Sequence, residues 1–262
     1  MFVIFTYYKY RYMKKYIPNA LTLLNLFCGS IAVIFSVNNN FVAASFFVFL
    51  GIFFDFFDGF FARKFNVQGP LGVQLDSLAD MVTSGVVPGI IMFKLLSLSI
   101  NEPAVLFLHD EWNSVFHFDG MPLSFIPLMG LFITLASAYR LAKFNIDEDQ
   151  QSYFKGLPTP ANTLLIISLP LIIEFQNSDL MNTIILNKWF LLALTLLSSY
   201  LLNSNIKLFA LKFKEWGFKA NASRYIFIML CIILLILLQF AAIPVIILLY
   251  ISMSLLDSMA IK

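Results

Sequence analysis

Apolar residues run along the chain in eight long stretches, which short polar or charged segments separate. A helix that spans a membrane needs about 20 apolar residues, and most of the stretches approach that length. They run approximately over 17–37, 41–63, 72–98, 122–143, 160–175, 186–204, 224–238 and 240–256. The fifth is short and only a tight turn near Gln239 divides the last two, so six or seven spans are alternatives. The pattern predicts an all-α, polytopic integral membrane protein.

The composition excludes most other classes of protein. Hydrophobic residues make up 60% of the 262 and charged residues only 12%, whereas about a quarter of a soluble domain is charged. This is too much apolar surface for a disordered chain. The Lys and Arg residues do not form a basic stripe, so binding to nucleic acid is not expected. Cys28 and Cys231 lie inside apolar stretches, where free cysteines are usually buried. Neither a disulfide framework nor a cysteine metal site is therefore expected.

The basic residues predict the orientation in the membrane. With the N-terminus in the cytoplasm, 15 of the 17 Lys and Arg residues fall on the cytoplasmic side, as the positive-inside rule requires. The loop from about 100 to 121 carries four acidic residues and no Lys or Arg, as expected of an external loop, and its His109 and His117 receive no catalytic role. We expect an even number of spans in a bacterial-type cytoplasmic membrane, with both termini inside.

Four aspartates lie where the apolar pattern predicts the membrane or its edge. Each would cost about 2.5–3.5 kcal/mol at the centre of a lone inserted helix, so they must face a cavity, a partner or a cation. Helical spacing places them on two faces that are otherwise made of small residues. The faces consist of Asp55, Asp58, Gly59 and Ala62 on one helix, and of Gly72, Asp76 and Asp80 on the next. The short loop between the helices makes them antiparallel neighbours, so the acidic faces can meet.

Clustered carboxylates point to metal chemistry. Four of them at close range cannot all ionise without a cation, and oxygen ligands without His or Cys select hard ions such as Mg²⁺, Mn²⁺ or Ca²⁺. Two divalent ions would nearly balance four aspartates, and two-metal sites suit displacement at phosphorus. The small residues leave room for a pyrophosphate, to which Arg63 can donate charge-assisted hydrogen bonds.

The spacing of these residues is similar to a known signature. Asp55-x-x-Asp58-Gly59-x-x-Ala62-Arg63, then eight residues, then Gly72-x-x-x-Asp76-x-x-x-Asp80 resembles that of the CDP-alcohol phosphatidyltransferase family. The resemblance implies a six-helix core with a di-metal site at the cytoplasmic side, and release of CMP from a CDP-linked lipid or alcohol. It also implies that Asp55, Asp58 and Asp76 hold the metals, whereas Asp80 contributes to the metal site and is the general base.

Four further segments narrow the resemblance. They are Ile17-Pro18-Asn19-x-x-Thr22-x-x-Asn25, the run from Asp76 to Pro88, Tyr139-Arg140-Leu-Ala-Lys-Phe-Asn145, and Lys155-Gly-Leu-Pro-Thr-Pro160. Together they resemble the phosphatidylserine synthase branch, although Lys143 and Ser84 stand where that branch usually has Arg and Phe. The resemblance implies CDP-diacylglycerol and L-serine as substrates and a homodimer among membrane lipids. Mg²⁺ or Mn²⁺ would be the cofactor, with Ca²⁺ a possible occupant in vitro.

The branch resemblance also suggests a domain division. We expect an interfacial segment over 1–16, a catalytic core over 17–205 and a transmembrane hairpin of about two extra helices over 206–262. Met13-Lys14-Lys15 is typical of the start of this branch, so the first twelve residues are expected to be an extension or a mis-assigned start.

Substrate contacts are assigned on the same basis, with alternatives left open. The residues assigned to the nucleotide are Asn19, Thr22, Asn25, Asp58, Gly59, Ala62, Arg63 and Gly72. Those assigned to serine or phosphate are Arg140, Lys143, Asn145, Thr83 and Ser84. Asn19 can instead cap a helix beside Pro18, and Arg140 and Lys143 can anchor the helix in the membrane. The segment Gly156-Leu157-Pro158 is interpreted as a turn.

Two rival functions remain at this point. Sibling enzymes with glycerol phosphate, inositol phosphate or choline as acceptor carry the same aspartates, although a phosphorylated acceptor should need more arginines. A cation transporter also places acids in a membrane, but it needs polar groups through the whole depth of the bilayer.

Overall fold

The computed structural model describes residues 2–100, 125–146, 153–209 and 222–260, which are almost wholly helical. The α-helices of these residues are α1 (Phe2–Val37), α2 (Phe41–Lys64), α3 (Pro70–Asp80), α4 (Val87–Ile100), α5 (Phe125–Leu128), α6 (Phe132–Ile146), α7 (Thr159–Phe175), α8 (Asp179–Ile185), α9 (Lys188–Asn203), α10 (Ala222–Leu238) and α11 (Ala242–Ala260). A π-helix, Met81–Val86, joins α3 to α4, and 3₁₀ turns at Met129–Leu131 and Gln239–Ala241 join α5 to α6 and α10 to α11. The predicted external loop and its two histidines lie outside the described residues.

Several of these helices are long and apolar enough to cross a membrane. By length and composition, five stretches of the described residues qualify, namely Tyr16–Val37, Phe41–Lys64, Pro70–Ile100, Phe125–Ile146 and Arg224–Leu256. The pair α8 and α9, which meet at an angle of 58°, gives a sixth if it is counted as one span, and α7 is a shorter apolar helix. The prediction of an all-α polytopic membrane protein is confirmed.

The last of these stretches is a hairpin of two helices. The rings of Phe227 in α10 and Tyr250 in α11 are 5.7 Å apart, whereas a continuous helix would separate residues 23 positions apart by about 34 Å. The chain reverses at Gln239, whose φ is +46°. The Gln176 side chain holds this turn, because its Nε2 donates to the Leu238 carbonyl at 2.9 Å and its Oε1 accepts from the Ala241 amide at 2.9 Å.

The centre of the bundle is the span formed by α3 and α4. Inside the protein, 67% of its apolar window is buried, against 28–33% for the first two spans and the span of α5 and α6. The buried side chains of α4 include Ile91, Met92, Leu95 and Leu96, each at most 1% exposed. The buried residues of this span lie mainly in the π-helix and α4, whereas α3, which carries two of the four aspartates, buries Ala79.

A small antiparallel sheet was not predicted from the sequence. Strand β1 (Tyr153–Lys155) pairs with β2 (Lys207–Phe209), with Phe154 opposite Leu208. Beyond β1 the Gly156 amide donates to the Ile206 carbonyl at 2.9 Å, and the Leu157 amide donates to the Leu201 carbonyl at 2.9 Å. Two chain segments about 50 residues apart are thereby tied together where α7 begins and α9 ends.

Replacing Gly156 with alanine should destabilise the protein. Its φ is +75°, and an added Cβ would lie 2.6 Å from the Leu202 carbonyl oxygen. A side chain in this backbone conformation costs about 1–3 kcal/mol, and the collision with a backbone oxygen adds to that cost. We expect a Tm several degrees lower in thermal unfolding of the purified protein. Gly69→Ala is the matched control, because its Cβ would meet nothing within 4 Å; an equal Tm for the two variants would contradict the prediction.

Candidate active site

A cavity of about 390 Å³ lies among α2, α3, α6 and the start of α7. All four predicted aspartates line it. The full lining consists of Asp55, Phe56, Asp58, Gly59, Arg63, Asp76, Ser77, Asp80, Arg140, Leu141, Phe144, Pro158, Thr159 and Pro160. The acidic faces of α2 and α3 therefore meet at one cavity, which also contains two arginines.

Three of the aspartates are placed as a metal site requires. One carboxylate oxygen from each of Asp55, Asp58 and Asp76 lies within 4.8 Å of the others. Asp58 is buried, and Asp55 and Asp76 are partly buried. The donors are all oxygens, and the cluster contains no His or Cys, so the residues present fit a hard divalent cation. Asp80 lines the same cavity but does not belong to this group of three.

Helix α1 supplies a polar layer behind the carboxylates. The Thr22 hydroxyl lies 2.5 Å from Asp58 Oδ2 and 3.1 Å from the Pro18 carbonyl oxygen. The Asn25 Nδ2 donates to Asp80 Oδ1 at 3.3 Å. Both residues are buried, and neither is among the residues that line the cavity. The structure thus brings these predicted nucleotide contacts against the aspartates, and their contact with a nucleotide stays a prediction.

Some of the other residues assigned to the nucleotide line the cavity and some do not. Gly59 and Arg63 line the cavity, whereas Ala62 and Gly72 are not among its lining residues. A Cβ added to Gly59 would lie 3.3 Å from the Arg63 guanidinium, and one added to Gly72 would lie 3.6 Å from Asn19 Oδ1. Gly59 therefore lets the Arg63 guanidinium lie close to the α2 backbone, whereas the distance at Gly72 is an ordinary van der Waals contact.

Arg140 connects the cavity to the chain segment before α7. It is 7% exposed, and its Nε donates to the Leu157 carbonyl at 2.6 Å, while an Nη donates to the Gly156 carbonyl at 3.4 Å. Its guanidinium thus binds the turn predicted at Gly156-Leu157-Pro158 and still lines the cavity. Lys143 lies in a small adjoining cleft with Arg140 and Lys155.

The remaining residues assigned to serine or phosphate have protein partners or are buried. Asn145 Nδ2 donates to Ser77 Oγ at 2.9 Å, which links α6 to α3. Thr83 and Ser84 are 0% and 1% exposed and are not among the lining residues. Contact of these three residues with serine or phosphate stays a prediction.

Sequence reasoning did not single out several lining residues. Ser77 and Thr159 contribute polar side chains, and Phe56 and Phe144 contribute aromatic ones. Ser77 follows a motif aspartate and Thr159 lies in a segment quoted above, so adjacency to the motifs was the available signal. Phe56 and Phe144 also lie within quoted segments, but with 30 phenylalanines in the chain their residue type did not distinguish them.

Comparisons with known proteins identify relatives of this chain. Residues 15–201 match the family described as CDP-alcohol phosphatidyltransferase. A CDP-diacylglycerol–serine O-phosphatidyltransferase of Bacillus subtilis is 32% identical over 155 residues, which cover 59% of this chain and 75% of the relative. A protein of the same name in Saccharomyces cerevisiae is 33% identical, over 57% of this chain and 51% of the relative. Another in Helicobacter pylori is 28% identical, over 77% of this chain and 75% of the relative.

Proposed function

Because the chain belongs to the CDP-alcohol phosphatidyltransferase family, we propose that it transfers the phosphatidyl group of CDP-diacylglycerol to the hydroxyl of L-serine. The products are phosphatidylserine and CMP. The observation that carries the proposal is the cluster of Asp55, Asp58 and Asp76 at one cavity. The choice of serine is supported by the relatives, which are named for that reaction.

The three clustered aspartates would hold Mg²⁺ or Mn²⁺, and we propose two ions. A bound divalent ion would polarise the phosphoryl oxygens and stabilise the departing CMP. Thr22 stabilises the orientation of the Asp58 carboxylate through their short contact. Arg63, which lines the same cavity, donates to phosphate oxygens.

Asp80 acts as the general base in this proposal. The serine hydroxyl attacks the phosphorus that carries the diacylglycerol, and Asp80 accepts its proton. The new phosphorus–oxygen bond forms as the bond to CMP breaks. Arg140, which lines the same cavity as Asp80, uses donors that are not bound to Gly156 and Leu157 to bind the serine carboxylate.

The proposed location is a cytoplasmic membrane, with the cavity at the cytoplasmic face. Arg63 and Lys64 lie in the last turn of α2, the same end of the helix that carries Asp55 and Asp58. Basic residues at the end of a span favour the cytoplasmic side. The headgroup reaction would then take place where soluble serine is present, while the acyl chains stay in the bilayer.

Purified protein should form labelled phosphatidylserine from CDP-diacylglycerol and labelled L-serine, with one CMP released per lipid. The measurement is thin-layer chromatography of the lipid beside quantification of CMP, in Mn²⁺ or Mg²⁺. Parallel reactions contain glycerol 3-phosphate, inositol 1-phosphate or choline. Among the described residues only Arg63 and Arg140 provide arginine at the cavity, so we expect little product with the phosphorylated acceptors. Product with one of them and none with serine would show that the acceptor is assigned wrongly.

A further inference from the structure

A buried hydrogen-bonded chain stands behind Asp80. Thr83 Oγ1 donates to Asn25 Oδ1 at 2.8 Å, and Asn25 Nδ2 donates to Asp80 Oδ1 at 3.3 Å. Asn25 and Thr83 are both 0% exposed. The chain therefore runs from the protein interior to one carboxylate at the cavity, with no water-exposed member except that carboxylate.

The Asp80 carboxylate and the Thr83 hydroxyl together determine which way the Asn25 amide faces. An amide can rotate by half a turn and exchange its oxygen with its nitrogen. Here a rotated Asn25 would present its oxygen to the Asp80 carboxylate, and two acceptors would face each other. Thr83 Oγ1 lies 2.8 Å from Asn25 Oδ1 and 3.2 Å from the Asn25 backbone carbonyl oxygen. Its donation across the shorter distance, to Oδ1, adds to the stability of the orientation in which Nδ2 points to Asp80.

The position of Thr83 is itself set by an unusual turn of helix. Thr83 lies in the π-helix Met81–Val86, and π-helical turns often occur at functional sites. Side chains of two other helices hold this turn. Thr163 Oγ1 in α7 is 2.9 Å from the Ser84 carbonyl oxygen, and Thr134 Oγ1 in α6 is 3.0 Å from the Gly85 carbonyl oxygen.

Two glycines leave the space that the chain occupies. A Cβ added to Gly51 in α2 would lie 2.9 Å from Asn25 Oδ1 and 2.9 Å from Thr83 Cγ2. A Cβ added to Gly29 in α1 would collide with Thr83 Oγ1 and lie 3.0 Å from the Thr83 backbone. Both helices thus lack a side chain where the Asn25–Thr83 pair sits.

We propose that Asn25 and Thr83 are positioning residues for the transfer reaction. Asn25 donates to one oxygen of Asp80 and Thr83 supports Asn25 from behind, which orients the carboxylate and leaves its second oxygen for the proton of the acceptor hydroxyl. This inference rests on the proposed function, in which Asp80 is the general base. It assigns Asn25 to the base rather than to the nucleotide.

The test compares Thr83→Val with Thr83→Ser in purified protein, with initial rates measured over a range of serine and CDP-diacylglycerol concentrations. Thr83→Val keeps the shape but removes the donor to Asn25, so we expect kcat to fall on the order of tenfold. The KM values should stay within about twofold, since substrate binding is not altered. Thr83→Ser keeps the hydroxyl and should restore most of kcat.

Thr195→Val is the matched control. Thr195 is also 0% exposed, and its hydroxyl donates to the Leu191 carbonyl of its own helix at 2.8 Å, so kcat should be unchanged. Gly51→Ala tests the same pair without removing a polar group and should lower kcat several-fold, because its methyl group displaces Asn25 or Thr83. If Thr83→Val does not fold, as judged by gel filtration, Thr83→Ala and Gly51→Ala replace it in the comparison.

The outcomes separate this inference from the function on which it rests. A wild-type protein that makes no phosphatidylserine overturns the proposed function. An active wild type whose Thr83→Val variant has normal kcat, or raises only KM, overturns the positioning role. Equal loss in Thr83→Ser and Thr83→Val also overturns it, because a hydroxyl that matters would rescue the serine variant.

Discussion

Replacing Asp80 with asparagine should lower phosphatidyl transfer by about 10²–10⁴-fold, the usual contribution of a general base, while CDP-diacylglycerol still binds. Asparagine has the size of aspartate, and its side-chain oxygen can still accept the hydrogen bond that Asn25 Nδ2 donates to Asp80 Oδ1. The side chain should therefore keep its place. What it loses is the ability to take a proton from the acceptor hydroxyl.

Two measurements on the same variant check this expectation. CMP release gives the rate, and a binding titration with CDP-diacylglycerol shows whether the cavity is intact. Near-normal CMP release from Asp80→Asn would contradict the general-base role. A loss of lipid binding equal to the loss of rate would instead assign Asp80 to substrate binding.

Asp55→Asn should have the second largest effect, on the metal dependence of the reaction. Asp55 supplies one of three carboxylate oxygens that lie within 4.8 Å of one another, and asparagine replaces this charged ligand with a neutral one. Loss of a residue that only supports a ligand costs about 10–100-fold in metal affinity, so loss of a ligand should cost at least as much. We expect the Mn²⁺ or Mg²⁺ concentration for half-maximal activity to rise by that factor.

Asp179→Asn is the control for this metal titration. Asp179 is exposed in the first turn of α8, away from the cavity, and it undergoes the same chemical change. Its titration should overlay that of the wild type. If the Asp55→Asn titration also overlays it, Asp55 is not a metal ligand.

The meeting of the acidic faces could be predicted because the aspartates lie close together in the sequence. Asp55 and Asp58 share a face through helical periodicity, and the short loop before α3 makes that helix an antiparallel neighbour. The hydrogen bonds of Thr22 and Asn25 could not be predicted in the same way. Their spacing of three residues puts both on a similar face of α1, but which neighbour that face meets depends on the packing of α1 against α3 and the π-helix.

Two other features of the fold could not be predicted, because the sequence patterns that indicate them are weak or lie far apart in the chain. Strands β1 and β2 have three residues each, too few for an alternating pattern to appear, and they pair across about 50 residues. The bend between α8 and α9 could not be predicted either, because hydropathy reports how apolar a segment is and not the direction of its helix axis. By contrast, the turn expected near Gln239 is present, since a polar residue interrupts an otherwise continuous apolar run.

The strand pair also sets the parity of the membrane crossings between its strands. Paired strands lie on one side of the bilayer, so the chain that leaves from β1 and returns at β2 must cross an even number of times. Helix α7, with 17 residues, spans about 26 Å, close to the roughly 30 Å hydrocarbon core. A crossing by α7 and a return by the bent pair of α8 and α9, counted as one span, would give this even number. A bond pattern only three residues long thus links the counting of α7 to that of the bent pair, so that both are spans or neither is.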